Sequence, residues 1–163
     1  MTSGDPDAGP HADRIAGLYA TFRPRLARVV TLALMVLVLA LTAALVVALP
    51  SIGPEGESFG DQLGMGLLGA GIAWFCWRQA SVQARVDRDG VTVRNLLLTR
   101  RLTWPEIVSV RFGQGRPWVQ LDLADGDTLA VMGVQRSDGA YADAQARRFA
   151  TLVALHSRTA RDD

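Results

Sequence analysis

Five arginines carry most of the chemistry this sequence offers: Arg85, Arg88 and Arg94 flank one alternating segment, and Arg100 and Arg101 follow it. Clustered guanidinium groups suit phosphate oxygens, whether on an anionic lipid surface or on nucleic acid. Asp87 and Asp89 interrupt the set, and Lys is absent from the whole chain. After Trp77 there are 13 Arg against 10 acidic residues with the signs interspersed, a balance too weak for nucleic acid. The expectation is a basic face with a weak, salt-sensitive attraction to an anionic membrane and no headgroup pocket.

Other reactive side chains are isolated. His11 and His156 have no second His or Cys nearby to complete a metal set, and Cys76 is the single cysteine. Neither a G-x-S-x-G elbow nor a Walker loop is present. The expectation is therefore a protein without catalysis, metal or cofactor, and without a small-molecule substrate. His156 is expected beside Leu152 near a helix C-terminus, where the charged form is favoured.

Residues 29–49 run for 21 positions without a charge, enough at about 1.5 Å per residue to cross a core of about 30 Å. A second apolar run, residues 63–77, is shorter and needs its flanks, Asp61 and Gln62 at one end and Trp74, Trp77 and Arg78 at the other. Arg14, Arg23, Arg25 and Arg28 precede the first run and Arg78, Arg85 and Arg88 follow the second, whereas Glu55, Glu57 and Asp61 lie between. Positive charge is retained on the cytoplasmic side, so both termini are expected there. The pairs Gly60/Gly64, Gly66/Ala70 and Gly69/Ala73 offer close-approach faces, with the first run as one available partner. A cleaved leader is disfavoured by the long polar stretch ahead of residue 29. Residues 1–24 are expected to form a disordered tail, 25–80 a transmembrane hairpin with spans at about 29–49 and 60–78, 81–158 a folded domain, and 159–163 a short tail.

Beyond the hairpin the pattern changes to period two. Residues 82–87 alternate, Arg88-Asp89-Gly90 supplies a turn, and Val91 and Val93 resume the alternation, which predicts a hairpin. Further strands are expected at 98–104, 107–112, 118–123 and 128–134, the last two joined through Asp125-Gly126. Thr103-Trp104-Pro105-Glu106 reads as one helical turn with Thr103 as N-cap and Glu106 reaching back. Residues 141–156 are helical, capped by Ser137 or Asp138, with Phe149 and Leu152 on the apolar stripe. Trp104, Pro105, Ile107, Phe149 and Leu152 are the expected structural set, although Trp104 also suits a partner-binding surface.

The order Asp89-Gly90, Arg100-Arg101, Trp104-Pro105-Glu106-Ile107, Asp125-Gly126 and a final helix resembles the bacterial PH-like domains that follow two membrane helices in small actinobacterial proteins. The resemblance covers about residues 22–157, with Pro after the Trp where relatives often have it before. It implies an α+β fold: a transmembrane hairpin, then a small bent antiparallel sheet or barrel capped by a C-terminal helix. The expected function is a membrane-anchored binding or scaffold protein at the cytoplasmic face of the inner membrane, with the bilayer and an unidentified membrane or envelope protein as partners. The alternative is an accessory subunit of a transporter or envelope complex, docking through its helices.

Overall fold

The computed structural model describes residues 17–52, 59–113 and 115–159, and the chain divides into two units. Residues 17–24 and 82–159 belong to one, and Arg25–Ser81 form the other. His11, Arg14, Glu55, Glu57, residues 1–16 of the tail expected over 1–24 and the end of the chain past 159 lie outside the described residues.

Helices α1, Leu26–Ile52, and α2, Phe59–Ala80, make the helical unit. Among the described residues one helix is long and apolar enough to cross a bilayer, α1 over Leu26–Ala48, and no part of that stretch is buried. Composition supports one of the two expected spans: α2 is 22 residues long, but Asp61 stands in its first turn, Arg78 in its last, and glycines dilute its middle. Its buried positions include Gly69, Ala73 and Cys76, one stripe of small side chains. A methyl group on Gly69 would lie 2.2–2.8 Å from the atoms of Thr42 on α1, so the two helices meet where only hydrogen fits. Gly64 and Gly66 face open space instead, and of the expected close-approach pairs Gly69/Ala73 is the one that carries the α1 contact.

In the other unit the alternation has produced two antiparallel three-stranded sheets. The first joins β1, Gln83–Val86, β2, Gly90–Arg94, and β3, Thr99–Thr103. The second joins β4, Ile107–Arg111, β5, Trp118–Leu123, and β6, Thr128–Gln135. The fold class is thus α+β, with two short sheets in place of one continuous bent sheet, separated along the chain by a 3-10 turn, Trp104–Glu106. Glu106 accepts from the Thr103 backbone N–H at 2.6 Å and from its hydroxyl at 2.7 Å, which closes that turn. The chain then runs through a second 3-10 turn, Arg136–Asp138, and Gly139 at φ 55° into α3, Ala140–Thr159. The residues expected to cap α3 lie within that turn.

Alternate strand residues and one face of α3 build a single core, in which Val91, Leu102, Val119, Leu121, Val131, Phe149 and Leu152 are fully or almost fully buried. Phe22 belongs to it. Its backbone exchanges hydrogen bonds with Ala84, 2.8 and 2.9 Å, and its ring lies 4.9 Å from that of Phe149. Arg148 covers the same ring at 3.9 Å and donates to the carbonyls of Gly17 and Ala20. Residues 17–24 are therefore part of the folded unit and not of a tail. Large apolar side chains such as Tyr19 and Phe22 supply the burial that the acidic, Gly/Pro-rich stretch before them lacks.

Candidate functional site

Strand register decides which arginines share a surface, because side chains alternate across a sheet. Arg85, Thr92 and Arg101 stand opposite one another on β1, β2 and β3, and Gln83, Arg94 and Thr99 form the next rung on the same outer face. Arg23 extends that rung, its Nε donating to Gln83 Oε1 at 3.0 Å. Arg101 lies 3.5 Å from Asp87, so part of the positive charge is answered locally. Arg100 is one residue out of phase and on the opposite face, where it reaches Asp125 at 3.2 Å and Asp127 at 3.7 Å in the β5–β6 turn. Arg88 is exposed in the β1–β2 turn. The structure thus brings Arg85, Arg94 and Arg101 together and sets Arg88 and Arg100 apart.

Three residues on or beside this face escape a reading by segments. Arg23 joins it from across the whole helical unit, a pairing that no local spacing signals. Leu97 and Leu98, at the β2–β3 tip, are 76% and 71% exposed. Their exposure is visible only once the hairpin register is known, although the run Leu96-Leu97-Leu98 is unusual for a turn.

Trp104 is buried, as are Ile107, Phe149 and Leu152, whereas Pro105 is exposed within its turn. The Trp104 indole N–H is shared between the carbonyls of Asp87, 3.2 Å, and Arg88, 3.1 Å, which fastens the first hairpin turn to the 3-10 turn. His156 stacks flat on the indole, centroids 4.4 Å apart and planes 4° apart, and its Nε2 lies 2.9 Å from the Tyr19 hydroxyl. Burial pushes the His156 imidazole below the ordinary histidine value. The expectation of a charged ring beside Leu152 is corrected accordingly: cover by aromatic neighbours outweighs the helix terminus.

A groove of about 250 Å3 runs between β4 and α3, lined by Val110, Phe112, Asp143, Ala146, Arg147 and Ala150. A smaller hollow of about 190 Å3 adjoins it through Phe112 and Asp143. Both fall below the ~300–1,000 Å3 of sites that enclose small ligands. Among the described residues no group of three His, Cys, Asp or Glu side chains converges to hold a metal.

Residues 81–150 match the family model of the bacterial PH domain. Uncharacterised proteins of Mycobacterium tuberculosis and Mycobacterium bovis are 38% identical to the chain over 89 residues, which is 53% of this chain and 58% of theirs. The chain therefore spans somewhat over half the length of these relatives. No solved structure matches it significantly.

Proposed function

We propose that this chain is a membrane-tethered PH-like binding module, without catalysis, held by a helical hairpin that crosses the bilayer twice. The observation that carries the reading is the pairing of Phe22 with Ala84. Phe22 precedes α1 and Ala84 follows α2, so both ends of the helical excursion lie in one folded unit, on one side of any membrane. If α1 crosses, the chain must cross again before Val82, and α2 is the helix between them. Its 22 residues extend about 33 Å at the standard rise, enough for the hydrocarbon core.

Composition left α2 short of a span; connectivity supports one. Together the helices expose Leu34, Leu37 and Leu41 on α1 and Leu63, Leu67 and Phe75 on α2, an apolar surface larger than soluble proteins leave to water. The charges flanking the helices favour cytoplasmic termini and an outward 50–60 loop. The inner face of the cell membrane is then the site of action, and its anionic lipids one partner. Each arginine close to that surface adds about 1 kcal/mol, less where Asp87, Asp125 and Asp127 answer it. A membrane or envelope protein is the second partner class. An accessory-subunit role through the helices is the weaker reading, because the Gly69/Ala73 face is already occupied by α1.

Alkaline phosphatase inserted in the 50–60 loop is expected to be active, and the same reporter after residue 163 inactive. Activity at both positions, or release of the chain by alkaline carbonate, overturns the hairpin.

A further inference from the structure

We infer that Leu97 and Leu98, at the tip of the β2–β3 hairpin, insert into the interface of the lipid bilayer to which the chain is tethered. This rests on the reading of a membrane tether. The other two tight hairpin turns are built from turn residues: Asp87 Oδ1 accepts from the Asp89 and Gly90 N–H groups, and Asp125 Oδ1 from Asp127, with Gly126 at φ 87°. The β2–β3 tip has no such chemistry. It closes through the Asn95 N–H on the Leu98 carbonyl at 2.8 Å and points two large apolar side chains at solvent.

Topology places that tip. Because β1 and β2 are antiparallel, the β2–β3 turn lies at the end of the sheet where β1 begins, beside the rung Gln83–Arg94. The chain leaves this unit after Pro24 and re-enters it at Val82, and Arg23 is bonded to Gln83 on that same rung. Gln83 is three positions from the last residue of α2, and Leu97 is three positions from Arg94. At about 3.3–3.6 Å per extended residue, each reach is about 10 Å. The leucines and the point of tethering are therefore held to one end of the domain, and a bilayer reached by one is within reach of the other. Arg23 and Arg94 stand behind the tip at the level expected for headgroups, while Arg100 is engaged by Asp125 and Asp127. The insertion is accordingly apolar first, with a modest contribution from lipid charge.

The test uses the full chain with Cys76→Ala, carrying an environment-sensitive fluorophore at Leu97→Cys or, as control, at Asp89→Cys in the opposite turn. Both are reconstituted in vesicles of phosphatidylethanolamine and phosphatidylglycerol in equal parts. The label at 97 should be blue-shifted and quenched several-fold more by nitroxide-bearing lipid than the label at 89, reporting the about 5–10 Å depth of an interfacial element. A label at 97 as open to aqueous iodide as the control overturns the insertion while flotation with the vesicles still reports the tether. Shielding from both iodide and lipid nitroxide assigns the tip to a protein contact, a second copy included, and overturns the lipid assignment. Failure to float removes the tether and the inference with it.

Discussion

At His156 the stacking on Trp104 and the bond to Tyr19 join three parts of the chain that the sequence holds far apart. Burial favours the neutral ring, so as pH falls the unfolded chain binds the proton first and the folded state loses stability. The loss should set in below about pH 6.5 and end below the lowered folded value, and His156→Gln should flatten that limb in thermal melts of the detergent-solubilised protein. Carboxylates act in a separate, more acid window. Hydrogen bonds from the Thr103 hydroxyl and N–H hold Glu106 below the usual carboxylate range, and a bond from Ser109, assisted by Arg111, does the same for Asp122. Their stabilisation is complete above the unfolded values and is lost as pH falls through the folded ones, so Glu106→Gln should lower the melting temperature at neutral pH, with the difference from the parent shrinking as pH falls below about 4.5. Trp104→Ala removes a buried ring and two backbone bonds at once, and should destabilise the domain by about 3–5 kcal/mol in urea titrations.

Elements were far more legible than their assembly. Period-two alternation and the Asp-Gly steps located every strand to within a few residues, because burial of one sheet face and the turn chemistry are both local. The site was legible only by halves: Arg85, Arg94 and Arg101 share a face by strand parity, but Arg23 and the exposure of Leu97 depend on partners distant in sequence. The closure of the two sheets is equally long-range. Asn95 donates to the Ala130 carbonyl at 2.7 Å and accepts from the Met132 N–H at 3.1 Å, stitching the end of β2 to β6. Asn95→Ala would strand both backbone groups, at a cost of about 1–3 kcal/mol. Gly133 is the companion feature: a Cβ there would lie 2.9 Å from the Ala84 nitrogen and 3.0 Å from the Phe22 carbonyl oxygen. Backbone cannot yield as a flexible side chain does, so Gly133→Ala should lower the melting temperature and loosen the Phe22 segment, read as faster amide exchange at Phe22 and Ala84.

For the whole molecule the decisive fact is that the folded unit is made from two pieces of chain separated by the helices. A fragment beginning at Val82 would look complete by family match, since residues 81–150 carry it, yet would lack Phe22. Its absence leaves the Phe149 ring uncovered, removes the carbonyls of Gly17 and Ala20 from Arg148, and takes Tyr19 from His156. By analogy with truncating a buried Phe, the loss should reach about 3–5 kcal/mol, a large part of the 5–15 kcal/mol that holds a domain. Pro24 and Val82 flank the Phe22–Ala84 bridge, so a short Gly/Ser linker joining residues 17–24 directly to 82–159 can replace both helices without moving either end. That linked variant should melt cooperatively as a soluble protein, and the Val82 fragment should melt many degrees lower or without a sharp transition. Equal melting temperatures would mean that the Phe22 segment only decorates a domain complete without it, and the requirement for an even number of membrane crossings would lose its anchor.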